Sequence, residues 1–149
     1  MEGQVKIGKY VALYGGVHFV ILLGAELFFA FFEIESNSGM SVGAIIGSAM
    51  FVSIKFIKDN KRPPNKEEKY NLVLMSLLAS WVVSFLLLGV FALVFGQVAQ
   101  IIDFIKSINI FVLLGIFLFV CVLYFLVLLL SYGYLARKQY EGMAKKGNI

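Results

Sequence analysis

The sequence is poor in the residues that build most recognisable sites. Its 149 positions hold one cysteine, one histidine, one tryptophan and two prolines, and only 15% of them are charged. The lone Cys121 rules out an intramolecular disulfide and any cysteine-cluster metal signature. A single histidine rules out the usual histidine-cluster zinc sites, because such sites need three or four fixed protein ligands. What remains of metal chemistry is a sparse set, His18, Glu26 and Cys121, of which His18 and Cys121 fall near the middle of apolar runs. No phosphate-binding glycine loop, GxSxG elbow or HExxH pair is present, so the chain shows no catalytic constellation and calls for no cofactor. Basic patches interleaved with aromatics are missing as well, which argues against a nucleic-acid partner.

Apolar sequence is what the chain has instead. Hydrophobic residues make up 60% of it, against ~45–50% for a soluble domain, and they come in long uninterrupted runs. The expected fold class is an all-α integral membrane protein, a bundle of four transmembrane helices forming one membrane domain over residues 1–149. Its spans fall at about 10–32, 41–57, 72–95 and 110–135. The first run is too long for a signal peptide, contains Glu26 and lacks a small-residue cleavage pattern, so it reads as retained.

Span two carries small residues at four-residue spacing, Gly43 with Gly47, Ala44 with Ser48 and Ala49 with Ser53, the pattern that lets helix backbones approach closely in lipid. The segment 58–71 is the one sizeable hydrophilic stretch. Pro63 and Pro64 stop a continuous helix there, and Asn65 with Glu68 forms an N-cap and capping-box pair that starts span three. Ser76, Ser80 and Ser84 step along span three, either bonding back to their own helix or forming a polar wall towards span one. Trp81 reads as a packing or cavity-lining residue. Residues 96–109 are amphipathic enough to lie on the membrane surface, span four is the most lipid-like, and the basic tail 136–149 is expected to fray into solvent.

Twelve of the thirteen Lys and Arg residues fall at the N-terminus, around the 58–71 loop or in the tail, and only Lys106 falls on the other side. The positive-inside rule then places both termini of this multi-pass chain in the cytoplasm. The net charge of +4 reflects contact with the bilayer and its anionic lipid headgroups.

The residues that span one must accommodate are His18 and Glu26. A carboxylate at a helix centre costs ~2.5–3.5 kcal/mol on insertion scales, so such a group faces protein, a partner or water. At ~100° per residue, Tyr14, His18, Glu26 and Glu33 fall within about a third of the circumference, with His18 and Glu26 ~12 Å apart along the axis. Carboxyl and imidazole groups in one apolar helix are what proton and small-cation pathways use. Glu26 and His18 are therefore the expected proton- or ion-binding pair, Glu33 and Glu35 the attractors of cations at the outer mouth, and Tyr14, Ser76, Ser80, Ser84 and Tyr124 the polar lining. The competing reading has Glu26 bonded to the serines of span three and His18 capped by Tyr124 or a backbone carbonyl.

The four-span layout, the acid in span one, the small-residue second span and the segment FIKDNKRPPNKEEKYNLVLMSLLASW (56–81) resemble the AciT-type small inner-membrane proteins of bacteria. The specific part is the Arg62–Pro63 turn leading through Glu68 into a third span that carries Ser76. The resemblance implies a role in maintaining the electrochemical potential gradient, with indirect effects on drug susceptibility. Two other classes stay open. One is a small proton-coupled multidrug exporter, from which the long second-to-third loop, the single orientation and the outward position of Glu26 depart. The other is a non-transporting accessory or assembly subunit that meets a membrane-protein partner, or a second copy of itself, through its small-residue faces.

Overall fold

A computed structural model describes residues 5–32 and 38–147. Helices α1 (Ile7–Phe32), α2 (Ser38–Asn60), α3 (Lys66–Val94), α4 (Val98–Ser107), α5 (Ile110–Leu130) and α6 (Ala136–Lys145) follow in order, with a π-helical turn at Ser131–Leu135 joining α5 to α6. No strand occurs among the described residues. Four helices are long and apolar enough to cross a membrane: Ile7–Phe32, Gly39–Asn60, Lys66–Val94 and the continuous Ile110–Lys145. That last helix has 36 residues, about 54 Å at 1.5 Å each, well beyond a ~30 Å hydrocarbon core. The basic tail therefore leaves the apolar layer as an ordered helix, α6, whereas fraying was expected of it. Ala136 is fully buried and fastens its start.

The bundle is arranged as a diamond. Helix α1 packs on α2 and α3, and α5 packs on α3 and, with the π turn and α6, on α2. The consecutive helices α2 and α3 thus lie opposite each other, which is why the connection between them is long. It is a built structure. Asn60 ends α2 by donating to the Phe56 carbonyl (2.9 Å), and Lys61 turns into the left-handed region at φ 55°. Pro63 and Pro64 follow. Asn65 accepts from the Glu68 N–H at 2.9 Å while the Glu68 carboxylate accepts from the Asn65 N–H at 2.8 Å, the expected capping box. Arg62 clamps the same carboxylate in a two-pronged ion pair at 2.7 and 2.8 Å. At the other end of α3, Gly96 (φ 65°) lets Gln97 N–H reach the Ala92 carbonyl and Gly96 N–H the Leu93 carbonyl, a Schellman stop.

In lipid, helices gain little from hiding apolar surface, so their association depends on close packing and on hydrogen bonds. Helix α2 supplies the close packing with Ala44, Ser48, Ala49, Val52 and Ser53, all buried. The Gly43/Gly47 pair contributes less than its motif suggests. A Cβ at Gly47 would meet Ile21 at 3.6 Å, an ordinary contact, and one at Gly43 would meet nothing within 4 Å. Helix α5 buries only Leu128, and its Phe111, Leu118 and Phe119 are exposed, as suits a lipid-facing span. Helix α4 buries no residue; its Val98, Ile102 and Ile105 line one side and Gln100, Asp103 and Ser107 the other, as expected of a surface-lying helix.

Candidate functional site

Along α1, Tyr10, Tyr14, His18, Leu22 and Glu26 recur every four residues, and the first four are buried. Each four-residue step also rotates by about 40°, so Glu26 lies about 80° around the helix from His18. That rotation decides their different surroundings.

At the basic end, Tyr10 OH donates to Asp59 (3.1 Å) and accepts from Asn60 (3.0 Å). Asp59 also binds Lys9 at 2.9 Å and Lys55 at 2.6 Å, tying the start of α1 to the end of α2. Asp59 lies beyond the apolar stretch of α2. Hydrogen bonds from Lys55 and Lys9 pull its carboxyl down from 3.8 to about 2. The Glu68 carboxyl, in the hydrophilic segment before the apolar part of α3, is likewise lowered, chiefly by Arg62.

One turn further in, Tyr14 is fully buried and its OH lies 2.7 Å from Ser80 Oγ. Ser80 donates to the Ser76 carbonyl at 2.9 Å, and Ser76 Oγ lies 3.0 Å from Tyr132 OH. Two buried hydroxyl pairs thus cross the bundle, one from α1 to α3 and one from α3 to the π turn, joined only through the Ser76 backbone. Both readings of the serines hold at once at Ser80, which bonds back to its own helix and also faces α1. Next comes His18, 2% exposed, its ring stacked on Tyr14 with centroids 5.5 Å apart. The imidazole lies against the Ala44 backbone, and its Nδ1 is buried without a partner. Ala44 O also accepts from Ser48 at 2.7 Å.

Beyond Leu22 the stripe opens. Glu26 is half-buried and lines a cavity of about 280 Å³ with Ser41, Ser84, Leu87 and Phe91 between α1, α2 and α3. His18 and Glu26 are separated by Leu22 and do not form a contact pair. Tyr124 stacks on Trp81 (6.0 Å), which also packs on Phe117 and Phe85, and the expected packing role of Trp81 holds. Among the described residues no three His, Cys, Asp or Glu side chains converge as a metal group, so His18, Glu26 and Cys121 are not brought together. Glu33 and Glu35 lie outside the described residues.

Three participants escaped the sequence reading. Tyr10 was legible as the next four-residue step before Tyr14. Asp59 was hidden in a charge-rich segment with nothing to single it out, and Tyr132 sat in a span whose apolar uniformity masks its inward face. Such an arrangement offers a buried imidazole nitrogen without a partner, hydroxyl contacts from α1 to α3 and from α3 to the π turn, and a carboxyl at the edge of a mainly apolar cavity. No family model, curated protein or solved structure matches the chain.

Proposed function

We propose that the protein is a multi-pass component of a bacterial inner membrane that helps to maintain the electrochemical gradient by binding and passing protons, or a small cation, at Glu26 and His18. The observation that carries this reading is the unpartnered Nδ1 of His18, a buried ring nitrogen one helical step from Tyr14 and two from Glu26. Buried polar groups in membrane helices are costly unless bonded, and those retained mark ion pathways and proton relays. Glu26 is the entry group on the side of its cavity, where Ser41 and Ser84 offer hydroxyls to a solvated ion. His18 receives the proton past Leu22 and passes it on towards the basic end of the bundle. The AciT-type resemblance points the same way, and the segregation of basic residues supports a cytoplasmic Asp59 end.

The test is acidification of inverted inner-membrane vesicles containing the protein, followed with a pH-sensitive dye. Wild type should change the rate at which an imposed pH gradient collapses. His18→Ala should reduce that change, and Glu26→Gln, which keeps shape but cannot titrate, should remove it. An unchanged collapse rate in both variants would contradict the reading.

A further inference from the structure

A second site lies on the opposite flank of the bundle, where the start of α3 meets the π turn. A groove of about 290 Å³ is lined there by Pro64, Lys66, Lys69, Leu129, Tyr134 and Arg137, with Gly133 in its floor. Its upper part is cationic and uncompensated: among the described residues no ion pair includes Lys66, Lys69 or Arg137, while the nearby Arg62 and Glu68 are taken up with each other. Its lower part is apolar, with Leu129 and the exposed Leu130. Two exposed tyrosines, Tyr70 and Tyr134, flank it at the level where the chain leaves the apolar layer, the usual depth of aromatic anchors.

The π turn shapes this groove. It keeps Tyr132 turned inward to Ser76 while Tyr134 faces out. The stem of Lys69 lies against the turn at Gly133, its Cδ 3.6 Å from where a Cβ would stand, an ordinary contact. Lys69 Nζ sits 4.9 Å from the centre of the Tyr70 ring, so the ammonium is held at the rim rather than sweeping free.

We propose that this groove is a binding site for one anionic phospholipid of the basic-side leaflet, its phosphate held by Lys69, Arg137 and Lys66 and its acyl chain lying on Leu129 and Leu130. Charge above and hydrocarbon below match the two halves of such a lipid, and a free phosphate would leave the leucine half unused. The site is separate from the Glu26 stripe. It reaches the interior hydroxyls through Tyr132, which lines the groove and whose OH lies 3.0 Å from Ser76 Oγ.

The test uses the full chain purified in a neutral detergent, with phosphatidylglycerol, phosphatidylcholine or inorganic phosphate added separately. Native mass spectrometry should show one retained phosphatidylglycerol per chain and preference over phosphatidylcholine. Lys69→Gln combined with Arg137→Gln should weaken that retention by about 30-fold, the effect of two interfacial charges. Lys138→Gln, outside the groove, should leave it unchanged. Equal retention of phosphatidylcholine by the wild type would overturn the proposal without any variant having to fold. Protection from thermal unfolding by inorganic phosphate as strong as that by phosphatidylglycerol would overturn the choice of a lipid, and loss of retention in Lys138→Gln would overturn the location.

Discussion

Ser80 has a single hydroxyl proton, and the structure commits it to the Ser76 carbonyl. Tyr14 must therefore be the donor in the 2.7 Å contact between the two hydroxyls, which gives that contact a direction, from α1 into α3. Ser76 and Tyr132 have no such constraint and can exchange donor and acceptor. A difference in stability follows. Tyr14→Phe leaves Ser80 with its backbone bond, whereas Tyr132→Phe removes the side-chain contact of a fully buried Ser76. Interhelical bonds of this kind in membranes average about 0.6 kcal/mol, so Tyr132→Phe should cost about that much and Tyr14→Phe less, as read by unfolding in mixed micelles. Carboxyls at the basic end supply a pH signature. Asp59 and Glu68 both have folded-state pKa values below their ordinary ones, so their contribution is complete above the ordinary values and is lost as pH falls. For Asp59 the loss runs from about pH 4 to about 2. Thermal stability should decline on acidification through that window, and Asp59→Asn should flatten part of the decline.

At the scale of elements, helix ends and connections were the most legible features because their chemistry is local. Asn65 and Glu68 announce the start of α3 by type and spacing, and both reciprocal bonds form. Asn65→Ala should cost about 1 kcal/mol and Gly96→Ala a similar amount, the first from a lost cap and the second from a side chain forced to positive φ. Replacing Lys61, at φ 55°, by Gly should instead stabilise the turn after α2 by up to about 1 kcal/mol, measured in the same detergent assay. Less legible was which small residues of α2 would be the close ones. GxxxG spacing is satisfied at Gly43 and Gly47, yet the tight face is the adjacent one built on Ala44, Ser48, Ala49 and Ser53. Spacing marks a face as narrow but does not say which neighbour it meets. That depends on the diamond arrangement, which is a long-range property. The same holds for Tyr132: nothing local separates it from Tyr134, and only the packing of the π turn on α3 turns one inward and leaves the other exposed.

For the whole molecule, the four helices long and apolar enough to cross a membrane among the described residues were readable from the apolar runs, and the clustering of basic residues from their positions, since bilayer thickness and backbone bonding leave few alternatives. The candidate site was readable in part. His18, Tyr14, Ser76, Ser80 and Ser84 occupy the interior or its edge, but the rotation of about 40° per four-residue step carries Glu26 out to a cavity and away from direct contact with His18. The orientation proposed from charge predicts that a cysteine placed at position 61 in a Cys121→Ala background should be labelled only from the cytoplasm, and one at position 103 only from outside. The central proposal is that Glu26 binds the ion on a path through the bundle. Its most direct test is proton flux into proteoliposomes of purified protein, driven by a potassium diffusion potential and followed with an internal pH dye. Wild type should show flux above that of protein-free vesicles, Glu26→Asp should retain part of it, and Glu26→Gln, folded to the same melting temperature, should show none. Flux in Glu26→Gln equal to wild type would contradict the account.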